Sequence, residues 1–195
     1  MPRTTDTRER MVKTAARLFR RQGYAATGWR QVVADGATPW GSQSHHFPGG
    51  KEQLATEALA FAGRRYERLI RSGLAGVHPA DFVTAWADLA AAELAASGWA
   101  DGCPVATVAL ETAHESEPLA RVCDAALRSW RDALAEAIAA NGATAADARR
   151  LATFVIAAIE GGLLLARARR SAEPLLIVGG ELRAVLDRAC PRASR

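Results

Sequence analysis

The sequence predicts an all-α protein of about nine helices, and three observations carry that prediction. Alanine is used throughout, apolar residues recur at helical spacing, and alternation of β-branched residues is nearly absent. Proline and glycine also fall where helices would start and stop. A chain of 195 residues can bury a real core and form one or two domains. There is no run of about twenty apolar residues to span a membrane, and the N-terminus lacks an apolar signal core. Cys103, Cys123 and Cys190 are an odd, widely spaced set, which suits a reducing cytoplasm and neither a disulfide framework nor a zinc site. The expectation is a cytoplasmic protein.

The first helix is expected over about Thr7–Gln22. Asp6 and Glu9 resemble a capping box, and Val12, Ala15, Ala16 and Phe19 form one apolar stripe widened by Leu18. Gly23 is placed to end it, with Tyr24 as the apolar clamp. A second, short helix is expected from Thr27, its N-cap, to Ala34, with Trp29, Val32 and Val33 inward and Arg30 and Gln31 outward. A third is expected from Thr38 as N-cap and Pro39 as first helical residue to the stop at Pro48. Its body is almost devoid of apolar residues, and it is too short to stand alone. Phe47, its one large apolar residue, is expected to enter a core with Leu18, Phe19 and Val33. The fourth helix, about Lys51–Ser72, carries Leu54, Ala58, Phe61, Ala62 and Leu69 on one face and follows without a linker. Further helices are expected at about Pro79–Ala96, Pro104–Ala113, Pro118–Ala140, Ala145–Arg169 and Pro174–Ala189.

Two short helices joined by a tight turn, the second one polar, form the pattern of a helix-turn-helix DNA reader. Charge supports it. Residues 1–50 hold eight basic residues against three acids, or +5, whereas the remainder holds 17 against 18, or −1. Phosphate neutralisation supplies most non-specific affinity for DNA, and the positive excess lies where the reader is. The expected division is therefore a DNA-binding domain at 1–50 and a helical effector-binding and dimerisation domain at 51–195.

The run Ala15-Ala16-Arg17-Leu18-Phe19-Arg20-Arg21-Gln22-Gly23-Tyr24, then Thr27, then His45-His46-Phe47 and Lys51-Glu52-Gln53-Leu54 resembles the TetR family of transcriptional repressors. His46-Phe47-Pro48-Gly49-Gly50-Lys51, Gly102-Cys103-Pro104-Val105-Ala106, Leu110-Glu111-Thr112 and Glu160-Gly161-Gly162-Leu163-Leu164-Leu165-Ala166-Arg167-Ala168 are similar to its LmrA/YxaF branch. The resemblance implies a homodimer, a palindromic double-stranded operator and a small effector that releases DNA. Gln43 and Ser44 depart from the family, which usually places an aliphatic and then an aromatic residue there. Ala37 stands where the turn glycine is usual.

Expected DNA contacts are Thr27, Arg30, Thr38, Pro39, Trp40, Ser42, Ser44, His45, His46 and Lys51. By resemblance Arg30 reaches a base edge, with guanine its usual partner, and Lys51 is placed for a phosphate. Trp40 has a second reading, packing on the first helix, and His46 a second, a structural hydrogen bond. Phe82, Trp86, Trp99, Cys103, His114, Trp130 and Phe154 are candidates for an effector pocket suited to flat, apolar molecules, although aromatics in a helical domain usually just fill core. Leu151, Phe154, Val155, Ala158, Ile159, Gly162 and Leu165, with Leu182, Val185 and Leu186, are expected to pair with a second subunit as a four-helix bundle. Gly161-Gly162 is read as a close helix approach.

Enzymatic readings have little to stand on. His45 and His46 are adjacent and diverge on a helix. Glu111-x-x-His114 has di-iron spacing, but such sites need two of these motifs and two further carboxylates. No metal, cofactor or catalytic residue is expected. The alternative from another class is a helical enzyme or cysteine-based redox sensor that keeps a helix-turn-helix, with Cys103, just before a helix start, as its thiol.

Overall fold

The computed structural model describes residues 4–192, and among them the regular structure is entirely helical. The helices are α1 (Thr4–Gln22), α2 (Trp29–Asp35), α3 (Ser42–His46), α4 (Gly50–Leu74), α5 (Pro79–Ala96), α6 (Pro104–Thr112), α7 (Glu117–Ala140), α8 (Ala145–Arg169) and α9 (Glu173–Ala189). The chain forms two compact units. One takes Met1–Arg65 and Cys103–Ala126, the other Tyr66–Gly102 and Leu127–Arg195. This grouping differs from a division at residue 50, because α6 and the first part of α7 pack with the N-terminal helices.

In the first unit α1 lies against α2 and α6. Met11, Val12, Ala15, Ala16, Leu18 and Phe19 bury the face that the periodicity marks. Asp6 in the first turn and Arg20 and Arg21 in the last suit the helix dipole. Gly23, at φ +83°, donates its N–H to Phe19 O at 3.1 Å, and the Tyr24 ring sits 5.9 Å from that of Phe19. Phe47 is buried, with the Trp29 ring 5.9 Å away and the Arg8 guanidinium 5.5 Å from its centroid. An aromatic–cation pair thus closes the small core beneath the reader.

Two expected caps are corrected. Gly28, not Thr27, precedes α2 as N-cap, with no side-chain cap bond. The buried Thr27 hydroxyl donates to Gly23 O at 2.7 Å and closes the α1–α2 turn from inside. Likewise α3 begins three residues after Pro39. Its N-cap is Gly41, at φ +93°. Pro39 instead opens a turn in which Ser42 N–H and Ser42 Oγ both donate to Pro39 O, at 3.2 and 2.6 Å. The Gln43 amide oxygen then accepts from Gly41 N–H at 2.8 Å.

In the second unit α9 packs against α5 and α8, and α5 against α8. Gly162 lets α9 close on α8. A Cβ there would stand 3.1 Å from Leu175 and 3.3 Å from Val178. Trp99, in a left-handed conformation at φ +66°, follows the end of α5, donates its N–H to Leu94 O at 2.9 Å and packs on the cluster of Ala91, Leu94, Ala166 and Leu175. The C-terminal end of α9 is tied to the start of α5. Arg192 grips both Asp81 carboxylate oxygens, at 2.9 and 2.8 Å. His78 Nε2 donates to Cys190 O at 2.8 Å, which leaves Nδ1 to accept from Ala80 N–H and cap α5.

Among the described residues α8 is the one helix long and apolar enough by composition to cross a membrane. It contains no uninterrupted apolar run of about twenty residues, and Asp147, Arg149, Arg150, Glu160 and Arg167 lie along it. Its apolarity has another source. One face is buried on α9 and α5, and a second apolar face points outward.

Candidate nucleic-acid interface

The helix-turn-helix unit presents a defined set of side chains. Arg30, in the first turn of α2, is exposed and makes no ion pair within the described chain. Trp40 is 67% exposed, and Pro39, Ser44 and His45 are exposed beside it in sequence. Trp40 is thus not buried against α1. Ser42 is half-buried by its bonds in the Pro39 turn. Thr27 and Thr38 are buried. Their place among the outward-facing residues is corrected: both stabilise turns, Thr38 with its hydroxyl 3.4 Å from Val33 O.

His46 is half-buried, its ring 5.0 Å from that of His45 and 6.4 Å from that of Phe47. Burial first, then the charges of His45 and Arg8, holds its pKa below the ordinary histidine value. It is thus a neutral hydrogen-bonding group at neutral pH. Lys51 is also half-buried. Its ammonium lies 4.2 Å from the Tyr24 ring centroid and 3.5 Å from Ala25 O. Desolvation lowers its pKa, opposed by the nearby Glu111 carboxylate. Arg17 is paired with Asp35 across α1 and α2 at 2.9 Å, and Gln22 with Gln31 at 2.7 Å. These contacts link the two helices. Their partners are far apart in sequence, which is why spacing alone does not reveal them.

Ala37 occupies the left-handed turn position, at φ +48°. Thr38 N–H donates to Val33 O at 3.0 Å and Ala37 N–H to Ala34 O at 3.1 Å. The turn keeps the conformation a glycine would favour, although alanine supplies it.

Residues 79–181 match the family described as "Transcriptional regulator LmrA/YxaF-like, C-terminal domain". The HTH-type transcriptional regulator YxaF of Bacillus subtilis is 36% identical over 178 residues, 91% of this chain and 93% of that protein. The chain belongs to the TetR family of transcriptional regulators. It lies in the LmrA/YxaF-like branch, and it is a regulator rather than an enzyme. A TetR regulator from Chloroflexus aurantiacus has the same fold, with a TM-score of 0.79 and 30% identity, covering 96% of this chain and 98% of that one. A cysteine-substituted CifR, solved with 26-bp double-strand operator DNA, aligns with a TM-score of 0.72 and 25% identity over 94% of this chain and 96% of its own.

The other expected sites of this TetR-family chain are distributed as follows. Phe82 and Trp86 stack at 5.7 Å and Trp130 meets Tyr66 at 5.4 Å, all in the second unit with Trp99. Cys103 and His114 belong to the first unit. Cys103 is buried, and its sulfur accepts from Ala106 N–H at 3.4 Å as the α6 cap. His114 is exposed on the turn after α6, 3.2 Å from Glu115. Phe154 is 51% exposed on α8 and lines no interior. The three cysteines are free and buried, and burial pushes the Cys123 thiol up to about 11. Among the described residues no three His, Cys, Asp or Glu side chains gather as metal ligands.

The expected subunit interface needs a larger correction. Leu151, Val155, Ile159, Gly162, Leu182 and Leu186 are buried within the subunit and are spent on its own core. Phe154, Ala158 and Leu165 of the expected set do lie on the outward face of α8, which with Ala157, Gly161 and Leu164 runs from Phe154 at i, i+3, i+4, i+7, i+10 and i+11. On α9 it is Leu176, Ile177, Gly180 and Ala184, while Val185 is half-buried. A Cβ added at Gly161 or Gly180 would meet nothing within 4 Å, so these glycines thin the exposed face and not an internal contact. The stripe therefore has two sides, and periodicity alone does not say which faces the subunit's own core.

Proposed function

We propose that this protein represses transcription by binding a palindromic operator as a homodimer, and that a small aromatic or apolar molecule releases it. The observation that carries the reading is the free face of the helix-turn-helix: Arg30 unpaired and Trp40 and His45 exposed, on a unit bearing the excess positive charge. Residues 1–50 act as the DNA-binding part and 51–195 as the effector-binding and dimerising part, in the cytoplasm. Arg30 reads a base edge, and Pro39, Trp40, Ser42, Ser44, His45 and His46 form the rest of the reading surface with Lys51 beside it. The operator-bound CifR supports double-stranded operator DNA as the partner.

Dimerisation is supported by the outward α8 and α9 faces. Leu164 and Ile177, 63% and 56% exposed, lie with Phe154 and Leu165 on neighbouring helices. Contiguous apolar surface of this kind marks an interaction site, and a two-fold axis would let each face cover its own copy as a four-helix bundle. The aromatic residues of the second unit, Phe82, Trp86, Trp99 and Trp130, are the candidates for effector contact. Selection of bound fragments from genomic DNA tests the reading. A recovered palindrome, bound with two subunits, supports it; recovery of no preferred sequence contradicts it.

A further inference from the structure

Helix α6 holds the turn that leads into α2. The Glu111 carboxylate accepts a hydrogen bond from Ala25 N–H at 2.7 Å, across 86 positions of sequence. It also lies over Gly23, where a Cβ would overlap Oε1. From the start of α4, Lys51 reaches the same turn through the Tyr24 ring and Ala25 O. Thr27 closes the turn internally, and Gly28 gives α2 no side-chain cap of its own. The pose of α2 therefore depends on how its preceding turn is held.

We infer that Glu111 is a positioning residue for the reader: its bond to Ala25 sets the pose of α2, and with it the Arg30 guanidinium, from a helix outside the first fifty residues. The inference rests on the DNA-reading role proposed above for Arg30. A carboxylate accepting from a backbone N–H makes a charge-assisted bond, stronger than a neutral one. Glu111 is half-buried and Ala25 exposed, so the bond lies at the surface of the turn. The reader's own core, with Phe19, Val32 and Phe47, does not include it. Without the bond the reader stays folded but can tilt. Base contacts need registration, whereas phosphate-driven affinity tolerates tilt. Glu111 should thus govern the preference for operator over unrelated DNA and leave non-specific binding alone.

The test compares full-length wild type with E111Q, which keeps an acceptor oxygen, and E111M, which keeps the chain length without one. Each is titrated with the duplex selected by the wild type and with an unrelated duplex of equal length, and amide exchange is followed at Ala25. E111Q should fall between the wild type and E111M, because its amide oxygen still accepts but carries no charge. E111M should bind the operator about tenfold more weakly, in line with loss of one bond to a charged group. It should bind the unrelated duplex unchanged, and Ala25 should exchange faster. Equal loss on both duplexes with a lowered melting temperature would make Glu111 merely structural and overturn the inference. So would equal loss in E111Q, or a failure of both E111M and E111A to fold. A wild type that prefers no duplex would sink the proposed function; a wild type and an E111M that discriminate equally would sink only the role of Glu111.

Discussion

Arg30 and Ala37 carry the sharpest consequences at the scale of single residues. Arg30 has no partner to lose within the described chain, so Arg30→Ala should leave stability within about 0.5 kcal/mol of wild type. It should relax specificity at one base position in each half-site by about 1–3 kcal/mol, read from the ranking of operator variants. An unchanged ranking would show that Arg30 does not read a base. Ala37 tells a different story. An alanine held in the left-handed region is strained by about 1–2 kcal/mol, against which glycine adds about 0.4–1 kcal/mol of unfolded-chain entropy. Ala37→Gly should therefore raise stability slightly, by at most about 1.6 kcal/mol, seen as a higher urea midpoint at unchanged slope. A lower midpoint would mean the turn is not strained. The sequence flagged this position because glycine was missing. It could not flag Glu111, whose partner is a backbone N–H, because backbone donors carry no residue signature.

At the scale of elements, the outward face of α8 and α9 makes a clean test possible. The exposed positions of Phe154 and Ile177 mean that Phe154→Glu with Ile177→Glu should leave the subunit helical and folded. The same pair should convert a dimer to a monomer in light scattering. A double variant that stays dimeric would place the interface elsewhere. The clasp between α5 and α9 predicts a pH effect. Hydrogen bonding to Arg192 first, then its charge and that of Arg183, holds the Asp81 carboxyl below the ordinary carboxylate range. A folded-state pKa below the unfolded one stabilises above the unfolded value and is lost as pH falls through the folded value. Asp81→Asn should remove that acid-side loss, so its stability should fall less than that of wild type as pH drops through the carboxylate range. Helix boundaries were largely legible, because proline and glycine punctuate the long helices. Cap residues were less so. Thr27 and Thr38 are good capping types, but burial drew their hydroxyls to backbone carbonyls within the turns. In α8, one sequence stripe could not distinguish the inner from the outer face, since both are apolar.

At the scale of the molecule, regulation requires that two readers share a spacing near one turn of DNA, about 34–36 Å. It also requires that an effector prefer a form in which they do not. An effector can shift that balance only by its differential affinity, and operator DNA must then weaken effector binding by the same factor. A screened inducer whose affinity is identical with and without saturating operator would rule out this coupling. The fold and family were legible in motifs spread over most of the chain. The packing of α6 with the N-terminal helices was not, since it joins residues some 86 positions apart. The central claim is a dimer on a palindrome, and the most direct measurement is the mass, by light scattering, of the complex formed with the selected duplex. Two chains on one duplex, with affinity falling steeply as salt rises, is the predicted result. One chain per duplex, or a salt-insensitive complex with no sequence preference, would contradict it.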